Sequence, residues 1–200
     1  MPDQALQRLL DGNRRFIENK LTLDVSEIKR RQVAKKQEPF AAILGCVDSR
    51  VPPELIFDQG LGELLVIRTA GEVLDHAVLG SLEFGVAQLG IPIIVVLGHK
   101  NCGALKTATE VLHDHRKAAG DIEYLVEELE DAVEIGDEET GDHLDKAVRA
   151  QIFRDVIKLR SEPVLAPALE AGKLKIVGAW YDLEEGNVEV ITEEEAESEK

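Results

Sequence analysis

The sequence predicts an α/β fold: a mainly parallel central β-sheet, about four parallel strands plus an antiparallel edge strand, flanked by helices and preceded by a helical arm. Three observations predict it. "PFAAILGC" (39–46), "ELLVIRTAG" (63–71) and "IPIIVVLGH" (91–99) are short and nearly continuous in apolar residues, as strands buried on both faces are. Stretches with helical spacing lie between and after the later runs, and strand–helix–strand order implies right-handed crossovers. Finally, "EEGNVEVI" (184–191) returns from "KLKIVGAWYDL" (173–183) through a Gly-Asn turn, which suits a hairpin at the sheet edge.

Taken in order, residues 2–20 place Leu6, Leu9, Leu10, Phe16 and Ile17 on one helical stripe. Asn13 lies on that stripe, and Gly12 weakens the helix. Such a stripe must pack on something, either its own core or a neighbouring subunit. Residues 22–38 are polar and basic and read as a connection with some helix. "HAVLGSLEFGVAQLG" carries Leu79, Leu82, Val86 and Leu89 at helical spacing, with Gly90 as its stop. "GALKTATEVLHDH" puts Leu105, Ala108, Val111 or Leu112, and His115 on one face, which makes His115 a core residue; His113 and His143 read as exposed. Residues 121–160 are helical and acidic, broken at "GDEETGD", and Pro163 opens a short helix that Gly172 closes. With no internal repeat and no linker, residues 1–200 read as one domain. Within it, 1–38 is the helical arm and 192–200 a solvated or disordered acidic tail.

Bulk properties narrow the function. Two hundred residues, 44% of them hydrophobic, suffice for one sizeable core. A formal charge of −16 argues against nucleic acid and anionic membrane surfaces as partners, since nothing basic clusters except Lys29–Lys36. No apolar run approaches a membrane span and none follows a basic start, so the expectation is a cytoplasmic protein. In a reducing compartment, two cysteines are thiols or metal ligands rather than a disulfide.

Those cysteines end apolar strands. Cys46 closes the first; His99 and Cys102 follow the third. In open α/β sheets ligands gather at the carboxyl ends of strands, so the fold brings all three to one edge. Singly, a Cys at a strand end is a small buried hydrophobe and His-x-x-Cys occurs by chance. Together they form a set suited to Zn²⁺, and three protein ligands leave a fourth position for water or substrate. Asp48 could accept a hydrogen bond from the metal's water, or bind the metal as a fourth ligand in a closed state. Arg50, always charged, would hold that carboxylate and keep it ionised.

"CVDSR" followed by "HKNC" resembles the Cys-x-Asp-x-Arg and His-x-x-Cys pair of β-class carbonic anhydrases. The likeness extends through 43–71, 79–104 and 172–191 in family order, and 5–16 is similar to the family's N-terminal helix; 113–145 is the least typical stretch. The resemblance implies zinc on Cys46, His99 and Cys102, with Asp48 and Arg50 as the supporting pair. It also implies that Gly103 offers its backbone N–H to substrate and that Gln59 contacts substrate, although "FDQGLGE" sets Gln59 one residue further from the following Gly-Glu than in the plant-type pattern. Lys100 and Asn101 replace the Ser-Gly or Ser-Ala common between the ligands. The only Trp, Trp180, lies in the fourth strand, so the Trp and Tyr of the bicarbonate-inhibited subtype have no counterpart.

The implied activity is reversible hydration of carbon dioxide to bicarbonate and a proton, through hydroxide formed on one zinc per subunit. Val66, Ala70 and Gly71 are expected to line the apolar pocket, and His76 is a candidate proton shuttle. The same scaffold also serves carbon disulfide or carbonyl sulfide hydrolysis, and a non-catalytic zinc-stabilised binding module is a further alternative. Because the family exchanges N-terminal arms, a homodimer or a tetramer of two dimers is expected.

Overall fold

The computed structural model describes residues 1–138 and 141–191; the acidic tail expected at 192–200 lies outside the described residues. Its sheet has the order β2-β1-β3-β4-β5, formed by β1 (Ala41–Cys46), β2 (Leu64–Thr69), β3 (Ile93–His99), β4 (Lys175–Tyr181) and β5 (Val188–Ile191). The first four strands pair in parallel and β5 runs antiparallel to β4, as the sequence predicts. β1 and β3 are buried throughout, because each lies between two strands and under two layers. β2 departs from expectation: every residue is only half-buried, since it forms the sheet's edge. Its apolar run ends at Thr69, and the expected strand tail becomes a 3-10 turn at Ala70–Glu72, where Gly71 takes φ 67°.

Alternation along the strands divides the core. Ala42, Leu44, Ile94, Val96 and Ile176 face α4 (His76–Leu89), α5 (Gly103–His113), α6 (Ile122–Glu138), α7 (His143–Ser161) and α8 (Ala166–Glu170). Ala41, Ile43, Ile93, Val95, Leu97 and Ala179 face α1 (Pro2–Ile17) and α3 (Pro53–Ile56). Each fully buried Leu or Ile contributes about 1.5–3 kcal/mol relative to exposure. Helix boundaries follow local chemistry. Asp75 caps α4 by accepting from Val78 N–H, and Gly90 stops it at φ 69°. Ser26 caps α2 (Glu27–Val33) in the connecting segment. α5 ends at His113 with Asp114 as its cap, so His115 lies past the helix, exposed and at φ 49°; it is not the core residue the spacing suggests. α8 starts three residues after Pro163.

α1 rests on its own sheet. Of the predicted stripe, Leu9 and Asn13 are buried and Leu6 and Phe16 pack half-buried against the same core, whereas Ile17 is exposed; the small residues Ala5 and Gly12 join the buried line. Small residues are needed because the helix lies directly on the 56–59 loop. A Cβ at Gly12 would overlap the Phe57 carbonyl oxygen. Asp58 ties the far side, accepting from Arg15 at 2.5 Å and from the Thr22 and Leu23 N–H groups at 2.7 and 2.8 Å.

Gly12→Ala improves helix propensity by about 1 kcal/mol, yet the steric conflict is expected to outweigh that gain. Overpacking of this kind costs about 1–3 kcal/mol or more, so differential scanning calorimetry should show a lower melting temperature. A rise would mean that α1 is not seated on Phe57.

Candidate metal centre

Two adjacent parallel strands end side by side, which is why Cys46 and His99 meet. The register pairs Gly45 of β1 with Leu97 of β3, so the next residues on each strand emerge at the same edge. After β3 the chain turns sharply, with Asn101 at φ 56°, and Cys102 becomes the residue preceding α5. Asn tolerates that left-handed backbone better than most residues. Cys46, His99 and Cys102 are all buried, and their donor atoms lie within 4.8 Å of one another. The two Sγ atoms are 4.0 Å apart.

The imidazole is oriented from behind. His99 Nδ1 lies 2.9 Å from the Lys100 carbonyl oxygen. A carbonyl only accepts, so Nδ1 carries the hydrogen and Nε2 keeps its lone pair. Nε2 is fully buried without a hydrogen-bond partner. An orphaned imidazole nitrogen facing two sulfurs is a poor arrangement for neutral groups and a good one around a soft divalent cation. Cys46 is held below the usual thiol range, mainly by the hydrogen bond from Cys102, and against the effect of burial. The same bond, reinforced by burial, pushes Cys102 up.

Asp48 stands at the mouth, its Oδ2 3.9 Å from His99 Nε2. Arg50 grips it as a fork, with Nε donating to Oδ1 at 2.9 Å and Nη2 to Oδ2 at 2.7 Å, while the Arg50 backbone N–H adds a third bond at 2.9 Å. That grip lowers the Asp48 carboxyl to about 2, so the group is ionised at any ordinary pH. Arg68 of β2, unremarked in the sequence because it sits inside an apolar strand, supports the loop from below. Its Nε donates to the Cys46 carbonyl at 2.7 Å and its Nη2 to the Asp48 carbonyl.

A cavity of about 310 Å³ opens beside Cys46 and Asp48. Ala70 lines it as expected; Gly103 lines it too, and a Cβ there would meet nothing within 4 Å. The opposite wall is Ile122, Leu125 and other apolar side chains of α6, a contribution that nothing local in the sequence announces. Val66 does not line it, because it points to the α1 face of the sheet, and Gly71 is packed against Leu129 and Ala104. Gln59 is not brought to this cavity in the chain by itself; it is buried beneath α1, where its Nε2 donates to the Phe57 carbonyl at 2.6 Å. His76 is exposed at the start of α4. Glu72, also missed, is fully buried at φ 56° with neither carboxyl oxygen bonded, and burial raises it well above the usual carboxylate range.

Residues 41–188 match a family model described as carbonic anhydrase. A carbonic anhydrase of Mycolicibacterium smegmatis is 38% identical over 191 residues, covering 94% of this chain and 93% of the relative. Carbonic anhydrase 2 of Mycobacterium tuberculosis is 37% identical over 187 residues, covering 92% and 90%. Among solved structures, the β-carbonic anhydrase CcaA superposes with a TM-score of 0.77 at 25% identity, covering 98% of this chain and 97% of that one. A Coccomyxa β-carbonic anhydrase in complex with acetazolamide gives 0.71 at 29% identity, covering 93% and 86%.

The Asp48 carboxyl should climb from about 2 toward the usual carboxylate value of about 4 in Arg50→Ala, read by carbon-detected NMR titration of the metal-free protein. Because the folded value is depressed, the stability it confers is complete above the unfolded value and disappears as pH falls through about 2. The variant should lack that pH dependence; an unmoved titration would refute the fork as its cause.

Proposed function

The chain belongs to the β-class carbonic anhydrase family and is a carbonate dehydratase; from that premise we propose that Cys46, His99 and Cys102 hold one Zn²⁺ and that Asp48 orients the reacting water. The observation that carries this reading is the buried triad itself, two sulfurs and an unpartnered Nε2 within 4.8 Å. The donor set fits the ion: thiolates and a neutral imidazole are its usual partners, and three of them leave one position open. When bound, zinc supplies the Lewis acidity that makes a water nucleophilic near neutral pH.

The chain's own groups do the rest. Arg50 keeps Asp48 charged and fixed, so the carboxylate accepts a hydrogen bond from the water and sets its direction. Apolar walls from Ala70 and α6 exclude bulk solvent and accept a small apolar molecule, carbon dioxide. Gly103, first residue of α5, has a main-chain N–H with no partner within the helix, and it is assigned to an oxygen of substrate or bicarbonate. The lack of a Cβ there keeps the approach open.

A homo-oligomer, dimer or tetramer, is supported by the apolar edge: β2 is half-buried along its length, and Val47 and Phe84 are 54% and 50% exposed. Among the described residues no helix is long and apolar enough to cross a membrane. Two free cysteines suit a reducing, cytoplasmic setting.

Elemental analysis with stopped-flow carbon dioxide hydration tests the proposal. The parent should carry one zinc per chain. Cys46→Ala should lose both metal and catalysis, whereas Asp48→Asn should keep the metal and lose about 10–100-fold in rate. An active parent without zinc, or an unimpaired Cys46→Ala, would contradict the assignment. Sulfide release from carbon disulfide without carbon dioxide hydration would move the substrate to the sulfur analogues.

A further inference from the structure

Lys100 departs from the family pattern between two proposed ligands, yet it does not point into the cavity. Its Nζ donates to Asp182 Oδ2 at 3.2 Å and lies 3.5 Å from Glu184 Oε2. Its backbone N–H donates to the Tyr181 carbonyl at 3.0 Å, extending the β3–β4 ladder by one step. Its carbonyl is the acceptor that fixes His99 Nδ1. One residue thus joins the imidazole to the turn between β4 and β5.

That turn is itself braced. Asp182 Oδ1 accepts from the N–H groups of Glu184 and Glu185 at 2.7 and 2.9 Å, and the Asp182 backbone exchanges bonds with Gly186 and Asn187 at 2.9 and 3.0 Å. The two turn N–H groups, with Lys100, hold the Asp182 carboxyl below the usual range. From the far side comes Asn13 of α1, only 4% exposed. Its Nδ2 donates to the Gly186 carbonyl at 2.8 Å and the Ile56 carbonyl at 3.2 Å, and its Oδ1 accepts from Val188 N–H at 2.9 Å. A buried Asn on an apolar helix stripe has found three partners, one in this turn and one at the start of β5 just after it. The series Asn13, turn, Asp182, Lys100, His99 is continuous and made of hydrogen bonds.

We propose that Asp182 is a positioning residue for His99: anchored in a turn that Asn13 braces, it holds Lys100, whose carbonyl orients the imidazole toward the metal. The inference rests on His99 being a ligand. Outer partners of metal-binding imidazoles set ring orientation and basicity, and their loss weakens metal binding by about 10–100-fold. The Lys100–Asp182 contact is itself a partly exposed ion pair, worth about two- to fivefold alone. The larger effect belongs to losing the turn as well.

The test uses cobalt(II) on the full chain, with affinity read by chelator competition and geometry by the visible absorption band, neither of which needs turnover. Asp182→Asn keeps an acceptor for the turn and loses the ion pair, as does Lys100→Met; each should bind cobalt about two- to fivefold more weakly with a shifted band. Asp182→Ala should lose about 10–100-fold, while Lys100→Arg, which keeps the cation, should bind as the parent does. Calorimetry of the metal-free forms separates this from unfolding. Asp182→Asn and Lys100→Met with parental affinity and band would overturn the inference, as would Lys100→Arg as impaired as Lys100→Met. If the parent shows no sulfur-to-cobalt charge-transfer band, the ligand assignment falls too; if only the variants are unmoved, it stands.

Discussion

The structure depends on the register between β1 and β3. Parallel pairing of Gly45 with Leu97 sends Cys46 and His99 out of the sheet at one edge, and side chains alternate between faces with a period of two. A slip of one residue would move Cys46 to the α1 side and leave His99 opposite a different neighbour. The apolar surfaces above and below enforce the register, because the same slip would turn Ile43, Leu44, Val95 and Val96 to the wrong layers. The site is therefore a by-product of core packing: the force that places its donors is hydrophobic, not electrostatic.

Around that edge, charge is managed by position. Asp48 sits where solvent and Arg50 both reach it and stays ionised. Glu72, a few residues beyond β2, is shut away from every donor, which favours its protonated form. Arg68 shows a third solution, a cation buried enough to grip two main-chain carbonyls and so stiffen the loop that carries Asp48. Two carboxylates near one sheet edge, Asp48 and Glu72, are thus pushed in opposite directions because their surroundings differ.

Much of this was legible in the sequence. The mainly parallel sheet, the hairpin at its edge and the meeting of Cys46, His99 and Cys102 follow from where apolar runs stop, since strand ends are where a buried segment yields to polar chemistry. What could not be read depends on contacts between distant segments. The buried line of α1 takes in Gly12 because the chain at Phe57 comes so close, and helical periodicity alone favours larger residues there. His115 fits the helical spacing of α5, but the helix has already ended at His113. Gln59 follows a motif that places it by analogy, whereas the chain buries it under α1. Lys100 has no informative neighbour in sequence; its partner is brought to it by the return of β4.

One wall of the cavity comes from α6, while the donors and Asp48 come from the ends of β1 and β3 and the segments just after them. Chemistry and admission are thus encoded in separate parts of the gene. Substitutions that widen, narrow or grease the doorway can accumulate without disturbing the reactive apparatus, and descendants of such a protein can diverge in what they let in long before they diverge in what they do.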